Sequence, residues 1–299
     1  MDLLKLPTLK LVTRANTVRK ECVGDAFHLC TILNAKSGLC GEDCKFCAQS
    51  TRHSADVSRY PLKSKDEIVR AAAEAKKIGA GRFGIVTSGN RLTAKELDTI
   101  ASAVSEIVRD VGISACASLG VLDKSELAAL KCAGLTRYHH NIETSERFYS
   151  QVVTTHKFDQ RLRTVAAAKE AGLQVCSGGI IGMGESWQDR FDMALTLKDL
   201  EVDSVPINLL IPIKGTPFQS LHTISCNDAI RTIAIFRMIL RDKTIKIAAG
   251  RETVLKDFQG MGFLAGANGM LIGGYLTVAG RDVKADQELI NEIKRSWEE

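Results

Sequence analysis

The sequence predicts an α/β fold in which eight parallel strands, each followed by a helix, close into a (β/α)8 TIM-type barrel. Short apolar or β-branched segments alternate with helical patterns along nearly the whole chain, and eight such pairs follow an N-terminal segment. Strict alternation favours a parallel sheet with right-handed crossovers, and eight units are enough to close it. The 299 residues, 45% of them hydrophobic, suffice for one large core.

The elements follow in a regular order. We expect a helical extension over residues 1–26, the barrel over 27–283 and a C-terminal helix over 284–299, all in one domain. The expected strands begin near His28, Arg82, Ile113, Arg137, Gln174, Asp203, Thr244 and Asn268. Four helices are expected to begin with capping boxes, at Ser64 with Glu67, Thr93 with Glu96, Asp123 with Glu126 and Ser186 with Asp189. Three helices are expected to end at Gly79, Gly134 and Gly172.

An open doubly wound sheet is the structural alternative. Its support is the glycine-rich stretch GGIIGMG at residues 178–184. That stretch lies at the fifth strand, and its spacing departs from the dinucleotide-binding fingerprint. The barrel is therefore the preferred fold.

Composition narrows the function classes. No apolar segment approaches the length needed to span a bilayer, and residues 1–20 lack the order of a secretory signal, so we expect a cytoplasmic protein without a membrane partner. The net charge of +5 is dispersed, which disfavours nucleic acid and favours a small-molecule substrate. Nine cysteines in such a chain are expected to be free thiols available for metals.

Three of these cysteines lie in one loop directly after the first strand. Cys40, Cys44 and Cys47 have the spacing C-x3-C-x2-C. Three thiolates can hold three irons of a 4Fe-4S cluster and leave the fourth open, whereas a structural zinc site takes four protein ligands. The motif, with Phe46 before its last cysteine, resembles the signature of the radical S-adenosylmethionine (SAM) superfamily. A ferredoxin-like or zinc-binding loop is the alternative.

Three further cysteines fall on odd-numbered strands. Cys30 lies on the first, Cys116 on the third and Cys176 on the fifth, and Lys246 lies on the seventh. In an eight-stranded barrel, alternate strands contribute the side chains of one interior layer. A shared layer of thiols favours a second iron-sulfur cluster, although each cysteine alone could be a small buried apolar residue. The remaining cysteines, Cys22, Cys132 and Cys226, need no function, and only Cys22 is kept as a reserve ligand.

Local segments over most of the chain, from about Val23 to Lys294, resemble the biotin synthase family. The matching segments are CGEDCKFCAQS at 40–50, RYHHNIET at 137–144, VCSGGIIGMGE at 175–185, SVPINLLIPIKGTP at 204–217, AAGRE at 248–252 and AGAN at 265–268. The resemblance implies conversion of dethiobiotin to biotin through a 5'-deoxyadenosyl radical, with sulfur donated by an auxiliary cluster. It also implies an electron donor such as flavodoxin or ferredoxin, and a homodimer.

The resemblance assigns further site residues. The positions implied to contact SAM are Phe46, Asn141, Glu143, Arg161, Gly178, Gly179 and Ile180. The positions implied to face dethiobiotin are Lys36, Arg82, Asn208 and Thr277. Without the resemblance, Asn141 could be a strand-end cap, Glu143 and Arg161 an exposed ion pair, and the two glycines a bend in the barrel.

The sequence departs from the family pattern at the auxiliary cluster. The familiar 2Fe-2S cluster has three cysteines and an arginine, but Gly84 occupies one cysteine position and Lys246 the arginine position. Cys30 stands where those enzymes have serine. Our hypothesis is that Cys30, Cys116 and Cys176 hold a 2Fe-2S or larger four-iron cluster that still donates sulfur, with Lys246 as a nearby cation.

Two alternative functions remain at this point. One is another radical SAM enzyme of the same branch, similar to methylornithine synthase or to hydrogenase maturation enzymes. The other is a non-catalytic iron-sulfur protein. Barrel-interior cysteines favour sulfur insertion over both, because neither alternative needs to give up cluster sulfide.

Overall fold

The computed structural model describes residues 3–277 and 280–298. Its strands are β1 (His28–Lys36), β2 (Arg82–Thr87), β3 (Ser114–Ser118), β4 (Arg137–His139), β5 (Gln174–Cys176), β6 (Gly179–Ile181), β7 (Ser204–Leu209), β8 (Thr244–Ile247) and β9 (Gly269–Leu271). Its α-helices are α1 (Thr8–Val23), α2 (Lys65–Lys77), α3 (Ala94–Glu106), α4 (Lys124–Cys132), α5 (Glu146–Val152), α6 (Phe158–Glu170), α7 (Trp187–Asp199), α8 (Cys226–Ile239), α9 (Arg251–Val254), α10 (Gln259–Leu264) and α11 (Val283–Glu298). Short 3-10 turns cover Leu3–Lys5 and Lys256–Phe258, and a π-helical turn covers Ile107–Val111.

The strands form a closed parallel barrel. Their order is β5-β4-β3-β2-β1-β9-β8-β7-β6, and a pairing of β5 with β7 closes the ring. Because β5 and β6 both pair with β7, at Ser204 and at Ile207–Leu209, they are two parts of one barrel strand. The predicted eight-stranded barrel is therefore confirmed, and the doubly wound alternative is wrong.

The expected strand starts agree closely with the structure. Five strands begin at the predicted residue, namely His28, Arg82, Arg137, Gln174 and Thr244. The other three expected strands begin one residue later, at Ser114, Ser204 and Gly269. The fifth strand was expected to be continuous, but it is interrupted between Cys176 and Gly179.

Local signals explain where the helices begin and end. All four predicted capping boxes are present, with each cap side chain accepting from the N3 backbone and each N3 carboxylate accepting from the cap backbone. Gly79, Gly134 and Gly172 follow helices at φ of 85°, 102° and 74°. Only glycine adopts this region without steric cost, so these residues stop the helices as predicted.

The strands separate an apolar outer layer from a more polar interior. In β2, Phe83 and Ile85 are buried in the hydrophobic core, whereas Arg82, Gly84 and Val86 line the interior cavity. This alternation is the two-residue period of a strand. The barrel interior is thus the place where functional side chains accumulate. None of the helices in the described ranges is both long and apolar enough to cross a membrane.

The last helix is attached through a buried ion pair. Arg251 Nη2 lies 2.6 Å from Asp286 Oδ2, and these side chains are 1% and 0% exposed. We expect Asp286→Ala to lower the free energy of unfolding by about 3 kcal/mol, because it leaves a buried cation without its main partner. Glu252, 3.2 Å from Arg251 Nη2, keeps the loss at the lower end of the usual range.

Chemical denaturation of the metal-free protein would measure this loss. The matched control is Glu292→Ala, which removes an exposed partner of Arg295 and should cost less than about 1 kcal/mol. Equal stability of the two variants would contradict the stabilising role of the ion pair between Arg251 and Asp286.

Candidate active site

A cavity of about 360 Å³ lies inside the barrel and joins two groups of cysteines. At one end it is lined by Phe46 and Cys47 of the loop after β1. The wall also contains the expected interior residues Cys30, Cys116, Cys176 and Lys246. One cavity therefore connects the SAM-type motif with the layer of thiols.

The loop containing Cys40, Cys44 and Cys47 is held by its own backbone and by a neighbouring segment. Cys40 N donates to Gln49 O at 3.2 Å, and Cys47 N donates to Cys44 O at 2.9 Å. The carboxylate of Asp43 accepts from Thr154 N at 2.9 Å and from Thr155 N at 3.2 Å. Burial opposes ionisation of Asp43, but these hydrogen bonds outweigh it and hold its pKa well below the ordinary value. These hydrogen bonds hold the loop against the segment that follows α5.

The chemistry of this loop fits a 4Fe-4S cluster. Burial raises the pKa of Cys44 well above that of an ordinary thiol and raises the pKa of Cys47 to about 11. Iron binding must therefore displace these protons. Among the described residues, no three His, Cys, Asp or Glu side chains converge on a single metal ion. A cluster does not require such convergence, because each thiolate binds a different iron.

The residues expected to meet SAM lie at the end of β4 and on α6. Arg161 Nη1 is 3.6 Å from Glu143 Oε1, and the two side chains are 16% and 11% exposed. Burial alone would lower the pKa of Arg161, but Glu143, Tyr149 and Cys44 together outweigh this effect and raise it. The alternative of an exposed ion pair is therefore wrong. The pair is largely buried, and of its two members Glu143 lines the cavity whereas Arg161 is not among the lining residues.

Asn141 and Glu143 are interlocked with the break in the fifth strand. Asn141 Oδ1 accepts from Gly178 N at 3.0 Å, and Glu143 O accepts from Ile180 N at 2.9 Å. Glu143 has φ of 69°, a left-handed conformation that is unusual for a residue with a side chain. Asn141, Glu143 and Ile180 line the cavity. The strand break thus places polar groups of β4 at the cavity.

Gly178 and Gly179 lie against protein backbone. A Cβ at Gly178 would lie 2.0 Å from Pro206 O, and one at Gly179 would lie 2.2 Å from Glu143 O. The absence of these side chains is therefore required by the close approach of neighbouring strands. This geometry corresponds to a bend in the barrel. It explains why both positions are glycine without any contact to SAM.

The interior thiols surround a buried ammonium group. Lys246 Nζ lies 3.5 Å from Cys30 Sγ and 3.6 Å from Cys176 Sγ. Burial alone would lower the pKa of Lys246, but the nearby thiols outweigh it and raise it. Burial alone would likewise raise the pKa of Cys176, but Lys246 and His139 outweigh it and lower it. Burial and the neighbouring Cys176 raise the pKa of Cys116 to about 12. The Cys176 thiolate, the Lys246 ammonium group and the neutral thiol of Cys116 therefore share one buried layer.

Two residues of this layer were missed by sequence reasoning. His139 lines the cavity and hydrogen-bonds the thiol of Cys176, to which it is adjacent in the register of β4 and β5. Arg137 is buried, and its Nε and Nη2 donate to Gln174 Oε1 at 3.2 and 3.0 Å. Both lie an even number of residues before Asn141. The two-residue strand period therefore places them on the same inward face and could have revealed them.

The residues expected to face dethiobiotin are not all in the cavity. Arg82, Asn208 and Thr277 line it. Lys36 is not among the lining residues, and its Nζ lies 2.7 Å from Glu96 Oε1, at the start of α3. The structure thus gives Lys36 a partner within the protein.

Comparison with known proteins identifies this arrangement. A family model of the radical SAM superfamily matches residues 36–197, and a model of the Biotin and Thiamin Synthesis associated domain matches residues 206–294. The barrel, the three-cysteine loop and these matches together define a radical SAM enzyme. Two solved barrels share the fold at low sequence identity. Methylornithine synthase has 19% identity and a TM-score of 0.84, covering 99% of this chain and 94% of its own. The FeFe-hydrogenase maturase HydG from Carboxydothermus hydrogenoformans has 20% identity and a TM-score of 0.80, covering 95% and 71%.

Curated relatives give the particular family. Biotin synthase from Thermotoga petrophila is 51% identical over 294 residues, covering 98% of this chain and 97% of the relative. Biotin synthase from Thermotoga neapolitana is 55% identical over 267 residues, covering 89% and 95%. The chain belongs to the biotin synthase family. Its reaction is the radical SAM conversion of dethiobiotin to biotin with a 4Fe-4S cluster, and the two alternative functions are not favoured.

Proposed function

We propose that this biotin synthase takes its sulfur from an auxiliary iron-sulfur cluster bound by Cys30, Cys116 and Cys176, of the 2Fe-2S or a larger four-iron type. The observation that carries the proposal is the contact of the Lys246 ammonium group with two of these thiols inside the barrel. Thiolate ligands are soft and suit iron-sulfur clusters. A buried cation offsets the negative charge that three thiolates bring, which favours Lys246 as a charge partner and not as a ligand.

The ligand set must differ from the familiar one because Gly84 has no side chain. A Cβ at Gly84 would lie 3.0 Å from Ile32 Cγ2, so Ile32 already fills much of the space beside it. Cys30 lies two residues before Ile32 on the same inward face of β1. A thiol contributed by β1 therefore replaces the one missing from β2.

The groups at the end of β4 suit the polar parts of SAM. When bound, the 4Fe-4S cluster and SAM supply the 5'-deoxyadenosyl radical that abstracts hydrogen from the substrate. Arg161 has the planar fork that pairs with a carboxylate, and Asn141 and Glu143 have groups that bond ribose hydroxyls. Phe46 and Ile180 provide apolar surface for the remainder of SAM, and Gly178 and Gly179 hold Ile180 and Glu143 in place.

The substrate would lie between SAM and the thiol layer. Asn208 is held in the cavity wall by backbone groups, because its Nδ2 donates to Gly179 O at 3.2 Å and its Oδ1 accepts from Ala249 N at 3.2 Å. We assign Asn208, Arg82 and Thr277 to dethiobiotin, since all three line the cavity. Lys36 would contact the substrate only after leaving Glu96.

The cellular context follows from the family and the chemistry. A cluster with an open iron needs a low-potential one-electron donor, and we propose flavodoxin or ferredoxin. We also propose a homodimer in the cytoplasm, where a reducing environment keeps thiols available for iron.

An anaerobic isotope experiment tests the sulfur source. The protein is reconstituted with iron and isotope-labelled sulfide, and is then given SAM, a strong reductant and dethiobiotin without further sulfide. We expect labelled biotin, at no more than one equivalent per chain, together with 5'-deoxyadenosine, as measured by mass spectrometry. Unlabelled biotin, or sustained turnover without added sulfide, would contradict a sacrificed cluster.

A further inference from the structure

A buried histidine contacts the central cysteine of the radical SAM motif. His156 lies in the loop between α5 and α6 and is 9% exposed. Its Nε2 is 3.6 Å from Cys44 Sγ, and its Nδ1 is 2.8 Å from Tyr149 Oη. The same loop provides Thr154 and Thr155, which hold Asp43 beside Cys44. One segment therefore holds both the backbone and the sulfur of the motif.

The hydrogen-bond donors fix the direction of the protons in this chain. Arg161 Nε donates to Tyr149 Oη at 3.0 Å. A tyrosine hydroxyl has a single proton, and Tyr149, which accepts from Arg161, can give that proton to His156 Nδ1. The neutral imidazole then has its own proton on Nε2, the nitrogen that faces Cys44.

Two other groups also approach His156 Nε2. Arg161 Nη2 is 3.4 Å from His156 Nε2, and Glu42 Oε2 is 3.9 Å from it. If Nε2 accepted from Arg161, Tyr149 would receive two donors and its own proton would lack an acceptor among the described residues. A deprotonated Cys44 adds a negative acceptor on the Nε2 side. Both arguments favour the proton on Nε2.

We propose that His156 is a positioning residue that donates its Nε2 proton to the Cys44 thiolate and so raises the reduction potential of the radical SAM cluster. A hydrogen bond to a cluster thiolate stabilises the added negative charge of the reduced form, and such bonds are established determinants of cluster potential. The site is buried, so the bond is little screened by water. The inference rests on the cluster bound by Cys40, Cys44 and Cys47 and is independent of the auxiliary cluster.

The test is a potentiometric titration followed by electron paramagnetic resonance on the reconstituted full-length protein without SAM. The signal of the radical SAM cluster is assigned as the one that SAM subsequently perturbs. His156→Leu removes the donor without changing the charge, and we expect a more negative midpoint potential. His156→Gln retains an N–H donor, and its midpoint should stay close to that of the unmodified protein.

Tyr149→Phe separates the hydrogen bond from simple packing. Phenylalanine keeps the ring but cannot donate to His156 Nδ1, so the imidazole proton is no longer confined to Nε2. We therefore expect the midpoint potential to shift in the same direction as in His156→Leu, but by less. If His156→Leu does not retain its cluster, the pair Tyr149→Phe and His156→Gln decides the matter. Equal midpoints for the Leu and Gln variants, a positive shift in either the Leu or the Phe variant, or no shift in the Phe variant when the Leu variant cannot be measured, would overturn the proposal.

Discussion

Replacing Cys30 by serine is expected to abolish biotin formation while leaving the reductive cleavage of SAM intact. Serine keeps the size of the side chain but removes the soft thiolate that an iron-sulfur cluster prefers. With Gly84 on the adjacent strand, the described residues of β2 contain no cysteine to take its place. The loop containing Cys40, Cys44 and Cys47 is a separate ligand set, so its cluster should still form.

Iron content and Mössbauer spectra of the reconstituted variant would measure the loss, alongside assays of biotin and 5'-deoxyadenosine. We expect the auxiliary iron to disappear and 5'-deoxyadenosine to persist. Cys132→Ser is the matched control, because Cys132 is an exposed cysteine at the end of α4. The hypothesis would fail if Cys30→Ser had the iron content and biotin yield of this control.

The barrel could be predicted because its signals are local. Capping boxes, helix-ending glycines and short apolar strands each depend on a few neighbouring residues, and all four predicted capping boxes occur. The interruption of the fifth strand could not be predicted in this way. It depends on Asn141 and Glu143, which bond the backbone of Gly178 and Ile180 from another part of the chain.

The layer of thiols inside the barrel could also be predicted in part from local sequence patterns. Alternate residues of a strand face the barrel interior, and alternate strands contribute to one interior layer. These two patterns place Cys30, Cys116, Cys176 and Lys246 in one cavity, as the structure has them. The strand patterns could not reveal His156, since it lies in a loop between helices. Its contact with Cys44 joins residues 112 positions apart in the chain, and no local pattern encodes that approach.

Replacing Gly179 by alanine is expected to destabilise the protein by about 3 kcal/mol or more, since an added Cβ would overlap a fixed neighbour. That Cβ would lie 2.2 Å from Glu143 O and 2.7 Å from Met193 Sδ. Met193 can adopt another rotamer, but Glu143 O is backbone that already accepts from Ile180 N. Relief of the clash must therefore move Glu143, so we also expect weaker SAM binding.

Gly260→Ala is the matched control, because nothing lies within 4 Å of the Cβ it would add in α10. Alanine is the better helix former, so this variant should gain up to about 1 kcal/mol. Denaturant unfolding of the metal-free proteins and SAM affinity of the reconstituted ones would test both expectations. If Gly179→Ala had normal stability but bound SAM poorly, the glycine would serve the ligand and not the barrel. Loss of both would mean that the strand break is what holds Glu143 at the cavity.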